Sequence, residues 1–598
     1  MPIPTQTHFS THRHDRLAIG RVALGMLLIA GAGLSLLFIP VSEQQLLEPG
    51  QLVYHEDGFR RLSLALTPAR LLGLRLCVGA ATLLGLGGWL ALRAPASGRI
   101  EAQLLRAGRR LRHRWQRLPG AVRAGALLLL ALVLSARLYY LVAYPLSTDE
   151  IASFDYFVRQ GPRVILSYYP IPNNHLLYNL LASPLRLTGL PPLLVMRLPT
   201  WVLGSGSLAL TLALLGRTAG FRRALVATAL VGLAPLQVYY GAVGRGYGLQ
   251  LGMIQLGFFA VLELLRPHSS YRQLAWAALI LSSTAGLLLV PSYAYPLTAL
   301  LLGLALGICR GRAWPALGSL ILAGAAIGLL TLLLYSAVGA VSGWEQLLAN
   351  RYVASRTAAQ FWPGFRPRLY EVAAELIAPS VRLSGPLWLG AALLGGVLGG
   401  RLPAGARRRA ALLAWLLLAL PIGLLAAQRV FPLARGLLYV PWAGAVWVLL
   451  TLPRYRSTGR ARQWATRLTL GGVLGLGLFR LCRNEPHLRG ARRETQLVQQ
   501  AYDWLRRAAP GPIPYSVGLQ APIHELFFAH YLLLAEPHPA FRLVSYRTRQ
   551  PDRGFDFIIL TNREATTARR PPPLYVARYS DALVTIYSQP GPHPVPAP

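Results

Sequence analysis

Apolar residues fall in long runs separated by short arginine-bearing or turn-rich stretches. The first runs cover residues 20 to 40, 70 to 92 and 124 to 143. Ten more follow, at 193 to 215, 224 to 241, 247 to 265, 274 to 290, 293 to 309, 314 to 337, 385 to 400, 410 to 427, 437 to 452 and 468 to 482. Most are close to the roughly 20 residues an α-helix needs to cross a hydrocarbon core of about 30 Å. The pattern predicts a polytopic α-helical membrane protein of about thirteen transmembrane helices. After the last run the period changes. "ETQLVQQAYDWLRRAA" has helical spacing, and "FDFIIL", "PLYVARY" and "ALVTIYS" read as strands between turn residues. Residues 483–598 therefore read as a small soluble α/β domain ending in a Pro-rich disordered tail, residues 124–482 as the catalytic transmembrane domain, and residues 1–123 as a two-helix hairpin with a basic loop. The N-terminal run resembles a signal sequence in its basic flank, but its length favours a retained anchor.

Composition agrees with the pattern: 54% of the 598 residues are hydrophobic, 14% are charged, and the mean hydropathy is +0.42. A net charge of +38 raises the question of nucleic acid, and the distribution answers it. All 60 basic residues are arginine, and they gather in alternate loops: 93–123, "GRTAGFRR", "RPHSSYR", "CRGR", "RLPAGARRR" and "RYRSTGRARQWATR". That is the positive-inside signature and not a continuous binding stripe, so no nucleic-acid partner is expected. These loops are assigned to the cytoplasm. The longer loops 41 to 69, 145 to 191 and 338 to 384, with the C-terminal domain, then lie on the outer side, the chain being a multi-pass protein of the bacterial cytoplasmic membrane. Cys77, Cys309 and Cys482 lie in or beside apolar runs without disulfide or metal-ligand spacing.

Chemistry concentrates where the third run ends. "YPLSTDEIASFDYFVRQ" places Asp149 and Glu150 side by side at the exit from the membrane, with Asp155 behind them. "DEIASFDYFVRQ" and "HLLYNLLASPLRL" have the spacing of two helices on the membrane surface, joined by the turn "PIPNNH" that returns Asn173, Asn174 and His175 towards the carboxylates. Two acids at a span end are also what plain solvation would leave there. "HEDGF" (residues 55 to 59) reads as a solvated loop.

The Asp-Glu pair after a span, the Pro-Asn-Asn-His turn, "RLPTWVLG" opening the next span, "YYGAVGRGYGLQL" and "RVFPLARGLLYVPW" together resemble the membrane glycosyltransferases of the GT-C fold. The kin most similar are the protein O-mannosyltransferase and lipid A aminoarabinose transferase group. The resemblance covers roughly residues 124 to 452 and leaves the first two spans outside the family's usual core. It implies an inverting transfer of a sugar from a polyprenyl-phosphate carrier to an acceptor hydroxyl of lipid, glycan or protein on the outer face. Residue chemistry is compatible: a lipid phosphate is a competent leaving group, and no strand-GxGxxG-helix unit for a nucleotide occurs.

In this reading Asp149 is the general base. Glu150 orients it, holds a sugar hydroxyl or ligates a metal. Arg435 and Arg245, with Arg429 as a weaker third, bind the donor phosphate through bidentate guanidinium contacts, although arginines at these depths also snorkel to headgroups. His175 and Asn174 are assigned to substrate binding; His175 with a carboxylate is also a candidate for a divalent metal, and no other cofactor is implied. Tyr293 and Tyr295 line the donor site or belong to an interfacial aromatic belt. Two other functions compete: a ligase or polymerase of lipid-linked oligosaccharides, which would use the 338 to 384 loop and leave the acidic pair unexplained, and a secondary transporter, which would carry its acids inside the spans.

Overall fold

The computed structural model describes residues 6–52, 65–91, 97–169, 171–348, 354–377, 384–452, 460–483, 485–508, 515–520, 522–535, 541–545, 554–562 and 573–590. The "HEDGF" stretch lies outside them. The predicted apolar runs are largely helical where described, and among the described residues ten helices are long and apolar enough to cross a membrane. The chain is an integral membrane protein. Three of the thirteen predicted spans fall short of that standard, each for a visible reason. The run at 224 to 241 is broken into Phe221–Gly232 and Pro235–Tyr240, because Pro235 supplies no N–H and holds Ala234 extended (ψ 128°). Ser384–Gly400 is 17 residues long. Arg460–Arg483 has the length, but arginines at both ends lower its hydropathy.

The two N-terminal spans are integral to the bundle. His14–Phe38 and Pro68–Ala91 pack on each other, and the first also packs against Arg272–Leu289 and Pro315–Val341. Asp15, buried near the start of the first span, accepts from Arg272 Nε at 2.5 Å. A glycine sets how near the pair can come: a Cβ on Gly85 would lie 2.5 Å from Leu28 N and 2.7 Å from Leu28 Cα. Small residues permit such backbone approach in a membrane, where dispersion between closely packed helices replaces the hydrophobic drive.

The basic loops meet at one end of the bundle. Arg217 and Arg266 both bind Glu263 (3.1 and 3.0 Å), while Arg223 and Arg407 both donate to the Leu452 carbonyl. At the opposite end, the segment after Gly120–Ala143 forms Thr148–Ser153, a π turn Phe154–Val158, Pro162–Ser167 and Leu176–Ala182. Thus helices form in both predicted stretches, the first widening into π geometry and the second tightening into a 3-10 turn (Ser183–Thr188) after Pro184 enters its course.

The C-terminal sheet contains β1 (Tyr515–Leu519), β2 (Phe541–Ser545), β3 (Phe557–Thr561), β4 (Val576–Ser580) and β5 (Val584–Ser588). Their order is β2-β1-β3-β5-β4; β1 is parallel to both neighbours, and β5 is antiparallel to β3 and β4. The helix Pro522–Ala535 supplies the crossover from β1 to parallel β2 that no tight hairpin could make. Glu485–Ala508 covers the sheet with Val498, Ala501, Tyr502 and Leu505, one face of a helix. Ile151 of the acidic turn is buried in this same core. The sheet domain is therefore docked onto the segment that carries Asp149 and Glu150.

Gly85→Ala should force the N-terminal helices apart and lower the protein's thermal stability in detergent by about 1–3 kcal/mol. Gly87→Ala, with open space around its added Cβ, should change stability by less than about 0.5 kcal/mol.

Candidate active site

The acidic turn is built by a capping box. Ser147 precedes Thr148–Ser153; its Oγ accepts from Glu150 N (3.3 Å), and Glu150 Oε2 accepts from both the N–H and the Oγ of Ser147 (3.0 Å each). The same carboxylate is fully buried and receives Arg197 Nε and Nη2 at 2.7 Å each, with Gly244 N at 2.7 Å. The remaining donors of Arg197 go to the carbonyls of Leu141, Tyr144 and Pro145 (2.7 to 2.8 Å). All five guanidinium N–H groups are thereby used. Burial pushes the Glu150 carboxyl up, but the Arg197 charge and the hydrogen bonds outweigh it and hold the group below its usual range.

That arrangement ties three elements together. Arg197 comes from Pro192–Pro199, the carbonyls from the end of Gly120–Ala143, and Gly244 from the loop before Tyr247–Leu264. Gly244 is glycine because a Cβ there would stand 2.7 Å from the Met196 carbonyl oxygen. Only without a side chain can its N–H reach Glu150. The next residue, Arg245, is then delivered to Asp149.

Asp149 faces outward with its side chain 46% exposed, and two guanidiniums converge on Oδ2: Arg435 Nη1 at 3.4 Å and Arg245 Nη2 at 3.5 Å. Both distances exceed the 2.7–2.9 Å of a tight charge-assisted hydrogen bond. Arg245 is buried and further held by the Asp149 carbonyl (3.1 Å), Ser153 Oγ (3.0 Å) and Asn173 Oδ1. Arg435 sits on the turn Ala434–Leu437 and is about one-third exposed. The Tyr247 ring lies 5.9 Å from each guanidinium carbon, a shared cation–π platform.

Arg435, Tyr247 and His175 line a cavity of about 360 Å³ whose other walls are largely apolar, among them Tyr169, Pro291, Leu425 and Phe431. His175 Nδ1 lies 2.5 Å from the Leu289 carbonyl oxygen, and its ring meets Tyr247 edge-on at 5.0 Å. Burial, reinforced by the Arg245 and Arg435 charges, holds this imidazole well below its ordinary 6.5, so it is neutral with Nδ1 donating. Nε2 is left as a buried acceptor with no hydrogen-bond partner among the described residues.

The remaining expected residues divide. Tyr295 lines the cavity and donates to Gln428 Oε1 at 2.9 Å. Tyr293 does not: it is fully buried, and its ring packs so closely on Gly286 that a Cβ there would meet it at 2.4 Å. Tyrosines two positions apart on the Pro291–Tyr293 turn and the following helix point in different directions. Asn174 borders the cavity, but its amide donates to the Ile165 and Tyr168 carbonyls (2.8 and 2.9 Å) and accepts from Asn179 (2.9 Å). Its side chain thus holds the end of Pro162–Ser167. Glu150 has no lone pair to spare for a sugar or a metal. Arg429 is exposed in a left-handed conformation (φ 53°) at a helix end, outside the cavity lining. No group of three or more His, Cys, Asp or Glu assembles as a metal site among the described residues. Two guanidiniums already face Asp149, so a divalent ion beside it would meet like charge.

Arg197, Ser153 and Tyr247 were not singled out from sequence, whereas Asn173 was expected near the carboxylates and binds Arg245 there. Ser147-x-x-Glu150 does carry a capping-box signature that would have marked Glu150 as a local structural acid. Asp155 has its partner in the sheet domain: His530 Nδ1 lies 3.0 Å from Oδ1, with both side chains buried.

Neither a family model nor a curated protein matches this chain. Among solved structures it is similar to ArnT from Cupriavidus metallidurans bound to undecaprenyl phosphate, at 13% identity and a TM-score of 0.40, over 77% of this chain and 97% of that one. The apo form of the same protein matches at 12% identity and a TM-score of 0.41, over 78% and 98%. The arabinosyltransferase EmbB from Mycobacterium smegmatis matches at 15% and 0.40, over 62% of this chain and 34% of that one.

Glu150→Gln and Arg197→Met should each destabilise the protein by about 3–5 kcal/mol, since each strands a buried charge or its donors. The double variant should cost less than the sum, measured by thermal unfolding in detergent; strictly additive losses would show that the two residues do not act as a pair. The Glu150 contribution should be complete above the ordinary carboxylate range and disappear as pH falls below it, because the folded-state value lies under the unfolded one.

Proposed function

We propose that this protein is an inverting membrane glycosyltransferase that moves a sugar from a polyprenyl-phosphate carrier to an acceptor hydroxyl on the outer face of the bacterial cytoplasmic membrane. The observation that carries the reading is the convergence of Arg245 and Arg435 on one oxygen of the exposed Asp149, beside a largely apolar cavity that Arg435 lines. An amphiphile with an anionic group at the junction of an apolar tail and a polar head matches that layout. The sequence resemblance to the GT-C glycosyltransferases supports the same assignment.

The chemistry follows from the positions. A carrier phosphate would draw the guanidiniums of Arg435 and Arg245 from their long contacts with Asp149 into shorter, bidentate ones. Asp149, released from two cations, becomes the base. It takes the acceptor's proton as the acceptor oxygen bonds to the anomeric carbon; the bond from that carbon to the phosphate oxygen breaks on the opposite face, and the electron pair leaves with the phosphate. One displacement inverts the centre. Neutral His175 offers Nε2 as an acceptor for a ligand hydroxyl, while Glu150 and Arg197 keep the Asp149 turn in register with Arg245.

Asp149→Asn should lower turnover by roughly 10² to 10⁴ while donor affinity is nearly kept. Arg435→Lys should be impaired because a point charge cannot replace the fork, and Arg435→Ala more so. Transfer from a synthetic polyprenyl-phosphate sugar, with donor binding measured separately, gives both readouts. Wild-type turnover in Asp149→Asn would reject the base assignment, and unchanged kinetics in Arg435→Ala would reduce that arginine to an interfacial anchor.

Sidedness is tested by reporter fusions. Positions near 105 and 460 should report as cytoplasmic, and positions near 350 and beyond 490 as external. A cytoplasmic C-terminal domain would put Asp149 on the wrong side for a lipid-linked donor presented outside.

A further inference from the structure

The proposed reaction leaves unused a cavity of about 700 Å³ at the other end of the bundle. It lies by the start of Gly120–Ala143, a helix roughly 36 Å long at 1.5 Å per residue, whereas Asp149 follows the helix's other end. One wall is the amphipathic helix Ser97–Gln116 with the turn after it; the other is the Ala209–Arg217 stretch of the Pro192–Ala219 span.

Specific contacts hold that helix over the gap. Gln103 Oε1, buried, accepts from Leu274 N at 2.9 Å; the Arg110 guanidinium stands 5.3 Å from the Tyr271 ring; Trp115 meets Phe221 edge-on at 6.0 Å. Beneath it the floor is apolar, with Leu118, Leu130, Ala209 and Leu212. Arg112, Arg114, Arg117 and Arg217 stand at its edge. Arg217 is paired with Glu263 at 3.1 Å. The other three are exposed and, among the described residues, have no carboxylate within ion-pair distance.

We propose that this cavity is a binding site for an anionic glycerophospholipid of the surrounding leaflet, its phosphate held by Arg112, Arg114 and Arg117 and an acyl chain laid along the Leu118–Leu130–Ala209 floor. Charge complementarity selects the headgroup: three guanidiniums without carboxylate partners in one short stretch attract an anion and offer nothing specific to a zwitterion. The floor selects a lipid over a free anion, because inorganic phosphate would use the rim and leave the apolar surface uncovered. The Leu104, Leu105 and Leu111 side chains, all more than 40% exposed, place the helix itself at the acyl boundary, where such a lipid is supplied. The site would couple the basic helix to the bundle through an intervening lipid, independently of any reaction at Asp149.

Delipidated full-length protein in detergent should be stabilised saturably by phosphatidylglycerol, with no comparable shift from phosphatidylcholine or inorganic phosphate. The triple variant Arg112→Gln/Arg114→Gln/Arg117→Gln and the cavity-filling Ala209→Trp should each weaken the apparent affinity roughly tenfold. Phosphatidylglycerol brominated on its acyl chain should quench a component of tryptophan fluorescence in the unaltered protein that is missing from Trp115→Phe, a conservative change that keeps the aromatic contact with Phe221. Equal stabilisation by phosphatidylcholine would overturn the proposal. So would full affinity in Ala209→Trp, which would reduce the effect to adsorption on a basic surface, or identical quenching in Trp115→Phe.

Discussion

The arrangement at the end of the bundle that carries Asp149 depends on one buried ion pair. Glu150 and Arg197 are both inaccessible to solvent, and between them they accept or donate every hydrogen bond that their charged groups require. A half-satisfied pair in this setting would be a large liability, whereas a saturated one specifies a single arrangement of the elements that contribute to it. Here those elements are the end of one span, the start of another and the glycine loop that carries Arg245. The pair therefore does not compete with Asp149 for chemistry. It determines where Asp149 stands.

A second constraint comes from the sheet domain. Ile151 lies in that domain's core, and Asp155 is paired with His530 of the helix Pro522–Ala535, so the acidic turn is packed from the membrane side by Glu150 and from the aqueous side by its successors. Phe154 adds an edge-on contact to the same imidazole at 6.2 Å. A six-residue helix has little stability of its own. It is held by tertiary contacts on both sides, which leaves the exposed Asp149 side chain as the part free to meet a ligand.

Adjacent residues with similar chemistry receive different tasks because of direction. Asp149 and Glu150 are separated by about 100° around a helix, enough to send one to the surface and the other into the protein. The same holds at Tyr293 and Tyr295, one wedged against Gly286 and the other lining the cavity. Asn173 and Asn174 divide their amides between the arginine site and the carbonyls of Tyr168 and Ile165.

By itself the sequence determined the helical membrane architecture, the small α/β end and the stretch where the chemistry is gathered, because span length, arginine alternation and residue type are local properties of the chain. Asp149, Arg245, Arg435 and His175 were all legible as candidates for that reason, and so were the strands β3, β4 and β5. The parallel strands β1 and β2 were not, since their pairing depends on a crossover that no local pattern records. Only the tertiary structure decided that Glu150 belongs to Arg197, 47 positions away, that Arg245 and Arg435 share one carboxylate oxygen, and that Tyr247 lies beneath both. Those relations join residues that are remote in the chain, and burial, which sets whether a carboxylate is a structural counter-ion or an available base, exists only once the helices have packed.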